Sequence, residues 1–301
     1  MTHMTRLHGL ASLGLVATSL SAQAITIEFD YSFDDGATRL SSAQRNVLDY
    51  VAAEFGSRLT DTLDSETYGL LNFFDPAGPG GAGIQLTNQT IAADTLRVYV
   101  GASQLGGSTV GLGGPGGGSI RSRGETGVGS TDFAPWGGAI SFDVDTNWYV
   151  DNDPTTREAF SGFDFYSVAT HELGHVLGFG TAGSWFSQVS GSGFVGDAAV
   201  ATYSAEQGSP QGSVPLAGGL SHWSNGLTSF VGGVRQEVAL DGTIGFGVRK
   251  DFTDLDWAAL ADIGWEVSPV SAVPENDAYA LMLAGLGLLA MVSRRRSAQG
   301  R

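Results

Sequence analysis

Apolar and polar side chains alternate strictly through Ile25-Thr26-Ile27-Glu28-Phe29-Asp30-Tyr31, which predicts a β-strand with one buried face. The period then changes. Ser41 with Gln44 three residues on has the form of a capping box, and Val47, Leu48, Val51, Phe55 and Leu59 follow at helical spacing. Thr95 to Val100 is rich in β-branched and aromatic residues and predicts a second strand. Strand, helix and strand in that order suggest a right-handed crossover unit. Gly101 to Ser119 is mostly glycine and serine and reads as a flexible surface loop. It lacks the Gly-Lys-Ser/Thr of a phosphate-cradling loop. Gly138 to Phe142 predicts a further strand, with Ala139 to Phe142 expected at a sheet edge. Residues 165–178 predict a helix, with Asp164 near its N-cap and Gly178 at its end. From 180 to 250 the chain reads as irregular and rich in Gly and Ser. Thr253 then caps a last short helix carrying Trp257, Leu260 and Ile263. There is no internal repeat and no convincing linker between 25 and 273, so this stretch is expected to be one domain.

The two ends have a different character. Residues 1–24 begin weakly basic (Arg6, His8), continue apolar from Leu10 to Leu20, and finish in Ala22-Gln23-Ala24. That is the pattern of a secretory signal peptide cut after Ala24. Residues 274–301 contain an uncharged run from Ala278 to Val292, followed by Arg294-Arg295-Arg296. The run is shorter than the roughly 20 residues of a stable membrane span. An ordinary C-terminal anchor is the plainer alternative for this segment. On either account the working part, 25–273, faces outside the cytoplasm.

Composition narrows the chemistry. The chain of 301 residues has 31 acidic and 15 basic side chains and a formal net charge of −16. No basic stripe interrupts this excess, which argues against nucleic acid as a partner. There is no cysteine. Disulfides, thiolate-bound zinc, iron–sulfur clusters and a cysteine nucleophile are therefore excluded. Any metal must be held by His, Asp or Glu. Asp143, Asp145, Asn147, Asp151 and Asp153 have a spacing that hints at Ca2+, but Trp148 stands where an EF-hand loop needs Gly, and Pro154 where it needs Glu. A solvated acidic turn is the favoured reading, and calcium the alternative.

The informative segment is His171-Glu172-Leu173-Gly174-His175. On a helix, residues four apart share a face, so both imidazoles can reach one ion. Glu172 is rotated about 100° away, free to act as a base toward water. A catalytic Zn2+ needs a third protein ligand and an open position. His222 is the only other histidine between 25 and 273. Glu206 and Glu237 are the alternatives, although Ser-Ala-Glu-Gln-Gly around Glu206 shows no helical stripe. Tyr166 and Tyr203 are conceivable oxyanion stabilisers, and neither is assigned.

Three stretches together resemble the leishmanolysin-like metzincin peptidases: Thr170-His171-Glu172-Leu173-Gly174-His175-Val176-Leu177-Gly178-Phe179-Gly180, then Ser221-His222-Trp223, then Thr253 to Trp265. The similarity spans Gly138 to Trp265. It implies an α+β metzincin-like zincin, in which a twisted mixed sheet and an active-site helix stand over an irregular C-terminal subdomain. It also implies one catalytic Zn2+ on His171, His175 and His222, Glu172 as general base, and protein or peptide substrates. Two departures stand out. Residue 181 is Thr where a shorter metzincin pattern places the third histidine, and 25–273 contains no methionine for the turn beneath the metal. Leu240, within Gln236-Glu237-Val238-Ala239-Leu240-Asp241, is the expected substitute. At the C-terminus, Val273-Pro274-Glu275-Asn276, the apolar run and the three arginines resemble a PEP-CTERM sorting tail. That likeness implies an exosortase-type sorting protease as a partner and a transient stay in the inner membrane. Asn276 replaces that family's second proline. The alternatives to an exported peptidase are a non-enzymatic zinc-containing surface or matrix protein, and a zinc hydrolase of non-peptide substrates.

Overall fold

The computed structural model describes residues 25–35, 39–118, 123 and 133–268. The expected signal peptide and sorting tail lie outside the described residues. Among the described residues no helix is long and apolar enough to cross a membrane.

The first half of the chain forms strand β1 (Thr26–Asp30), helix α1 (Ser42–Arg58), β2 (Glu66–Phe73), β3 (Ile84–Ile91) and β4 (Thr95–Ser103). After it come β5 (Gly111–Pro115), β6 (Gly117–Gly118) and β7 (Gly137–Asp143). The central sheet has the order β1-β4-β7-β5; β1, β4 and β7 are parallel, and β5 runs antiparallel to β7. The expected strand–helix–strand unit is present as β1, α1 and β4, but a β2–β3 hairpin is inserted before β4. That hairpin and β6 form a separate sheet.

Side-chain alternation along β4 and β7 explains how the layers stack. Leu96, Val98, Val100, Ile140 and Phe142 belong to the main core with α1, whereas Tyr99 and Ala139 join a second core under the hairpin. There Tyr99 and Phe73 stack with ring centroids 4.3 Å apart. The α1 capping box is formed, and Val47, Leu48, Val51 and Phe55 are buried.

Four sequence expectations are corrected. β7 is bonded on both edges, to β4 and to β5, so Ala139–Phe142 is not an edge strand. The edge is β5, inside the stretch read as a loop. Glycine has no intrinsic strand preference, and the ladder to β7 imposes this one. The region 180–250 is also less irregular than its composition suggests. It holds the single turn α3 (Gly183–Phe186) and helix α4 (Asp197–Gln207), so Glu206 does lie on a helix. Finally, the acidic turn is not wholly solvated. Asp143 is buried and accepts from Leu105 N, Asp145 N and Thr146 Oγ1, while buried Asp151 pairs with Arg249 at 2.8 Å.

The helix expected over 165–178 is α2 (Phe165–Val176), and the last helix is α5 (Asp254–Asp262). Asp164 caps α2 by accepting from Ser167 N, and Thr253 caps α5 in a reciprocal box with Asp256. Between them Phe179, Trp185, Phe194 and Trp223 form a buried aromatic cluster with centroid separations from 4.0 Å.

Candidate metal centre

Helix α2 presents His171 and His175 one turn apart, as the sequence spacing requires. The chain leaves the helix sharply. Gly178 has φ +102°, Gly180 has φ +66°, and a Cβ on Gly180 would collide with the Ser221 carbonyl. Only glycine permits that turn and that approach, which lays Ser221-His222-Trp223 against the end of the helix. Thr181 Oγ1 donates to the His175 carbonyl. Trp223, packed in the aromatic cluster, carries its neighbour His222 toward the two helical histidines.

The three imidazoles converge. Nε2 of His171 lies 3.1 Å from that of His175 and 3.2 Å from that of His222, and His175 Nε2 is 3.0 Å from His222 Nε2. The second ring nitrogens settle two tautomers. His171 Nδ1 lies 2.7 Å from the Ala239 carbonyl and His175 Nδ1 2.8 Å from the Phe179 carbonyl. A carbonyl can only accept, so both Nδ1 atoms carry the proton and both Nε2 atoms present lone pairs. Two lone pairs aimed at one point repel each other unless a cation lies between them. A tetrahedral ion with Zn–N bonds of about 2.0–2.1 Å sets its ligands about 3.3–3.4 Å apart, close to the spacing here. The donor set and its orientation by backbone carbonyls therefore fit Zn2+. Burial and mutual repulsion hold the His171 pKa well below the ordinary value, and burial brings His175 down to about 4. Burial also lowers His222, against the pull of Asp241. All three are ready to bind metal at neutral pH without losing a proton.

Glu172 is buried on the same helix, and burial pushes its carboxyl up to about 8 while the Gly113 N–H works in the opposite direction. His171, Glu172, His175 and His222 line one cleft of about 600 Å3, with Val110–Gly113 of the β5 segment on one side and Gly242–Ile244 on the other. A second cavity of about 470 Å3 lies among Tyr149, Phe160, Val234 and Arg249. Its arginines are already paired: Arg249 with Asp151 and Asp164, and Arg157 with Asp251. The open chemistry is in the first cleft.

The alternative ligands are engaged elsewhere. Glu206 accepts from Ser229 Oγ at 2.6 Å, and Glu237 pairs with Lys250 at 2.9 Å. Tyr166 is buried and donates to Glu54, and Tyr203 packs on the main core, so neither lines the cleft. Leu240, the expected substitute for the missing methionine, is fully buried and packs so closely on α2 that a Cβ on Gly174 would meet its side chain.

Asp256 is a supporting residue that the sequence reading did not single out. This fully buried carboxylate accepts from Thr253 N and Oγ1, Ala239 N, Leu240 N and Trp223 Nε1, at 2.7–3.3 Å. It joins α5 to the turn that supplies the His171 acceptor and to the residue after His222. Its sole local sign was its place in the α5 capping box.

Residues 115–184 match the matrixin family of peptidases. Over 48 residues the chain is 48% identical to metalloendoproteinase 1 of Glycine max, which is 16% of each chain. The chain thus spans about a sixth of the length of the curated relative it matches. No solved structure matches. The matrixin match contains His171, Glu172 and His175 and ends before His222. With the three-histidine cluster, these similarities support a metzincin-type metalloprotease.

Proposed function

We propose that the chain is an exported zinc-dependent metalloendopeptidase of leishmanolysin-like type, with His171, His175 and His222 holding the ion and Glu172 acting as general base. One observation carries the reading: three Nε2 atoms converge within 3.2 Å beside a buried carboxylate, in an open cleft. A bound zinc ion supplies the Lewis acidity that makes water a nucleophile at neutral pH. The Glu172 carboxylate takes the proton of the attacking water and hands it to the leaving amine. The charge of an ion held by the three neutral histidines would oppose the effect of burial on Glu172 and favour the ionised carboxylate this step needs. β5 ends the central sheet, and among the described residues its outer edge pairs with no other strand, so that edge offers backbone N–H and C=O groups to an extended polypeptide. Protein or peptide is accordingly the substrate class.

In this reading residues 1–24 direct export, 25–273 form the catalytic domain, and 274–301 are removed by an exosortase-type protease, releasing the protein or leaving it at the cell surface. Metal analysis of residues 25–273, with casein hydrolysis measured with and without a chelator, tests the catalytic part. Glu172→Gln should keep zinc and lose about 10²–10⁴-fold in hydrolysis. Near-full activity in that variant refutes the role of Glu172. Zinc without hydrolysis in the wild type favours a non-enzymatic surface protein instead. Intact-mass measurement on protein from the native host tests the tail. A dominant species retaining Arg294–Arg301 identifies a plain anchor.

A further inference from the structure

The strand bordering the cleft, Gly111-Leu112-Gly113-Gly114-Pro115, has almost no side chains on the face that meets α2. Gly111 and Gly113, two residues apart, point the same way. A Cβ on Gly111 would lie 2.5 Å from Glu172 Oε1, 2.8 Å from Glu172 Cγ and 2.8 Å from Val168 Cγ1. A Cβ on Gly113 would collide with the Glu172 carbonyl oxygen. Gly114 differs, since a Cβ there meets nothing within 4 Å. The strand is tied to the sheet on its inner side, where Gly111 is in register with Phe142 and Gly113 with Ile140, both fully buried in β7.

We propose that Gly111 and Gly113 are positioning residues, whose missing side chains let β5 lie directly on Glu172 and hold its carboxylate in one place beside the histidines. The two act differently. Gly111 faces the movable end of the side chain, so a methyl there displaces the carboxylate. Contact at about 3.5 Å instead of 2.5 Å requires a shift of about 1 Å. Gly113 faces the helix backbone, so a methyl there displaces α2 itself. The inference rests on Glu172 being the base.

Gly111→Ala should lower kcat by about 10–100-fold with KM nearly unchanged, since a misplacement of about 1 Å can cost 10²-fold. Zinc stoichiometry should stay that of the wild type, because the atoms nearest the new methyl belong to Glu172 and Val168. Gly114→Ala, on the same strand, should keep the zinc stoichiometry of the wild type. Gly111→Ala combined with Val168→Ala, compared with Val168→Ala alone, relieves the second clash and should leave the kcat deficit in place. A readout independent of activity uses metal-free protein. The 13C signal of the Glu172 carboxyl, assigned by its loss in Glu172→Gln, should move in Gly111→Ala and not in Gly114→Ala. An unchanged signal, loss of zinc from Gly111→Ala, or an equal shift of the signal in Gly114→Ala overturns the inference. A wild type that hydrolyses nothing while the signal moves as expected overturns the role of Glu172 and leaves the positioning intact.

Discussion

Replacing Asp256 by Ala removes one carboxylate and strands the groups it serves. Trp223 Nε1, Ala239 N and Leu240 N all belong to buried residues, and all three donate to it. Each buried donor left without a partner costs about 1–3 kcal/mol, and the lost cap on α5 adds about 1 kcal/mol. Water entering the vacated space offsets part of this, so about 4 kcal/mol is the working figure. For a domain of this size that corresponds to a fall of about 8–16 °C in Tm. The loss should also reach the metal. Ala239 supplies the carbonyl that orients His171, and Trp223 adjoins His222, so Asp256→Ala should weaken zinc binding about 10–100-fold. Competition with a chromogenic chelator measures the affinity, and calorimetry measures Tm. Asp262→Ala is the control. That carboxylate accepts from Ala198 N and Ala199 N at the start of α4, away from the histidines. It should lower Tm and leave zinc affinity alone. Wild-type zinc affinity in a destabilised Asp256→Ala would refute the coupling between this scaffold and the metal centre.

Further outcomes follow from individual contacts. His222→Ala should lower zinc affinity sharply, whereas Glu206→Ala and Glu237→Ala should not, because those carboxylates bind Ser229 and Lys250. Metal content by mass spectrometry decides this, and normal zinc in the His222 variant would require another ligand. Burial raises the pKa of Glu54 above its ordinary 4.5, against the Tyr166 hydroxyl that donates to it. The folded state thus keeps this proton longer than the unfolded chain, so its contribution to stability falls as pH rises from 4.5 through the raised value. Denaturation of Glu54→Gln and wild type across this range should show the difference shifting toward the variant, and a constant difference would contradict the assignment. Leu240→Met should change Tm little, since leucine and methionine exchange for less than about 1.5 kcal/mol when volume is conserved. A large loss would mean that the space beneath α2 is shaped for leucine.

What the sequence determined by itself is local. The capping boxes at Ser41 and Thr253 and the stripe Val47, Leu48, Val51 and Phe55 specify helix starts and faces, because i→i+3 and i→i+4 neighbours meet within one helix. The same periodicity places His171 and His175 together. Tertiary structure decided everything that depends on residues distant along the chain. His222 reaches His175 across 47 positions because Gly180 admits Ser221 and the aromatic cluster holds Trp223. β5 is a strand only because β7 pairs with it, and its bare face becomes informative only where it crosses Glu172. Helix α4 has little apolar stripe, and Ala199 is the residue it buries. Its N-terminus is instead capped from α5 by Asp262. Asp256 reads in sequence as a helix-capping acid. Folding brings two further segments to the same carboxylate, and no pattern of neighbouring residues encodes such a meeting.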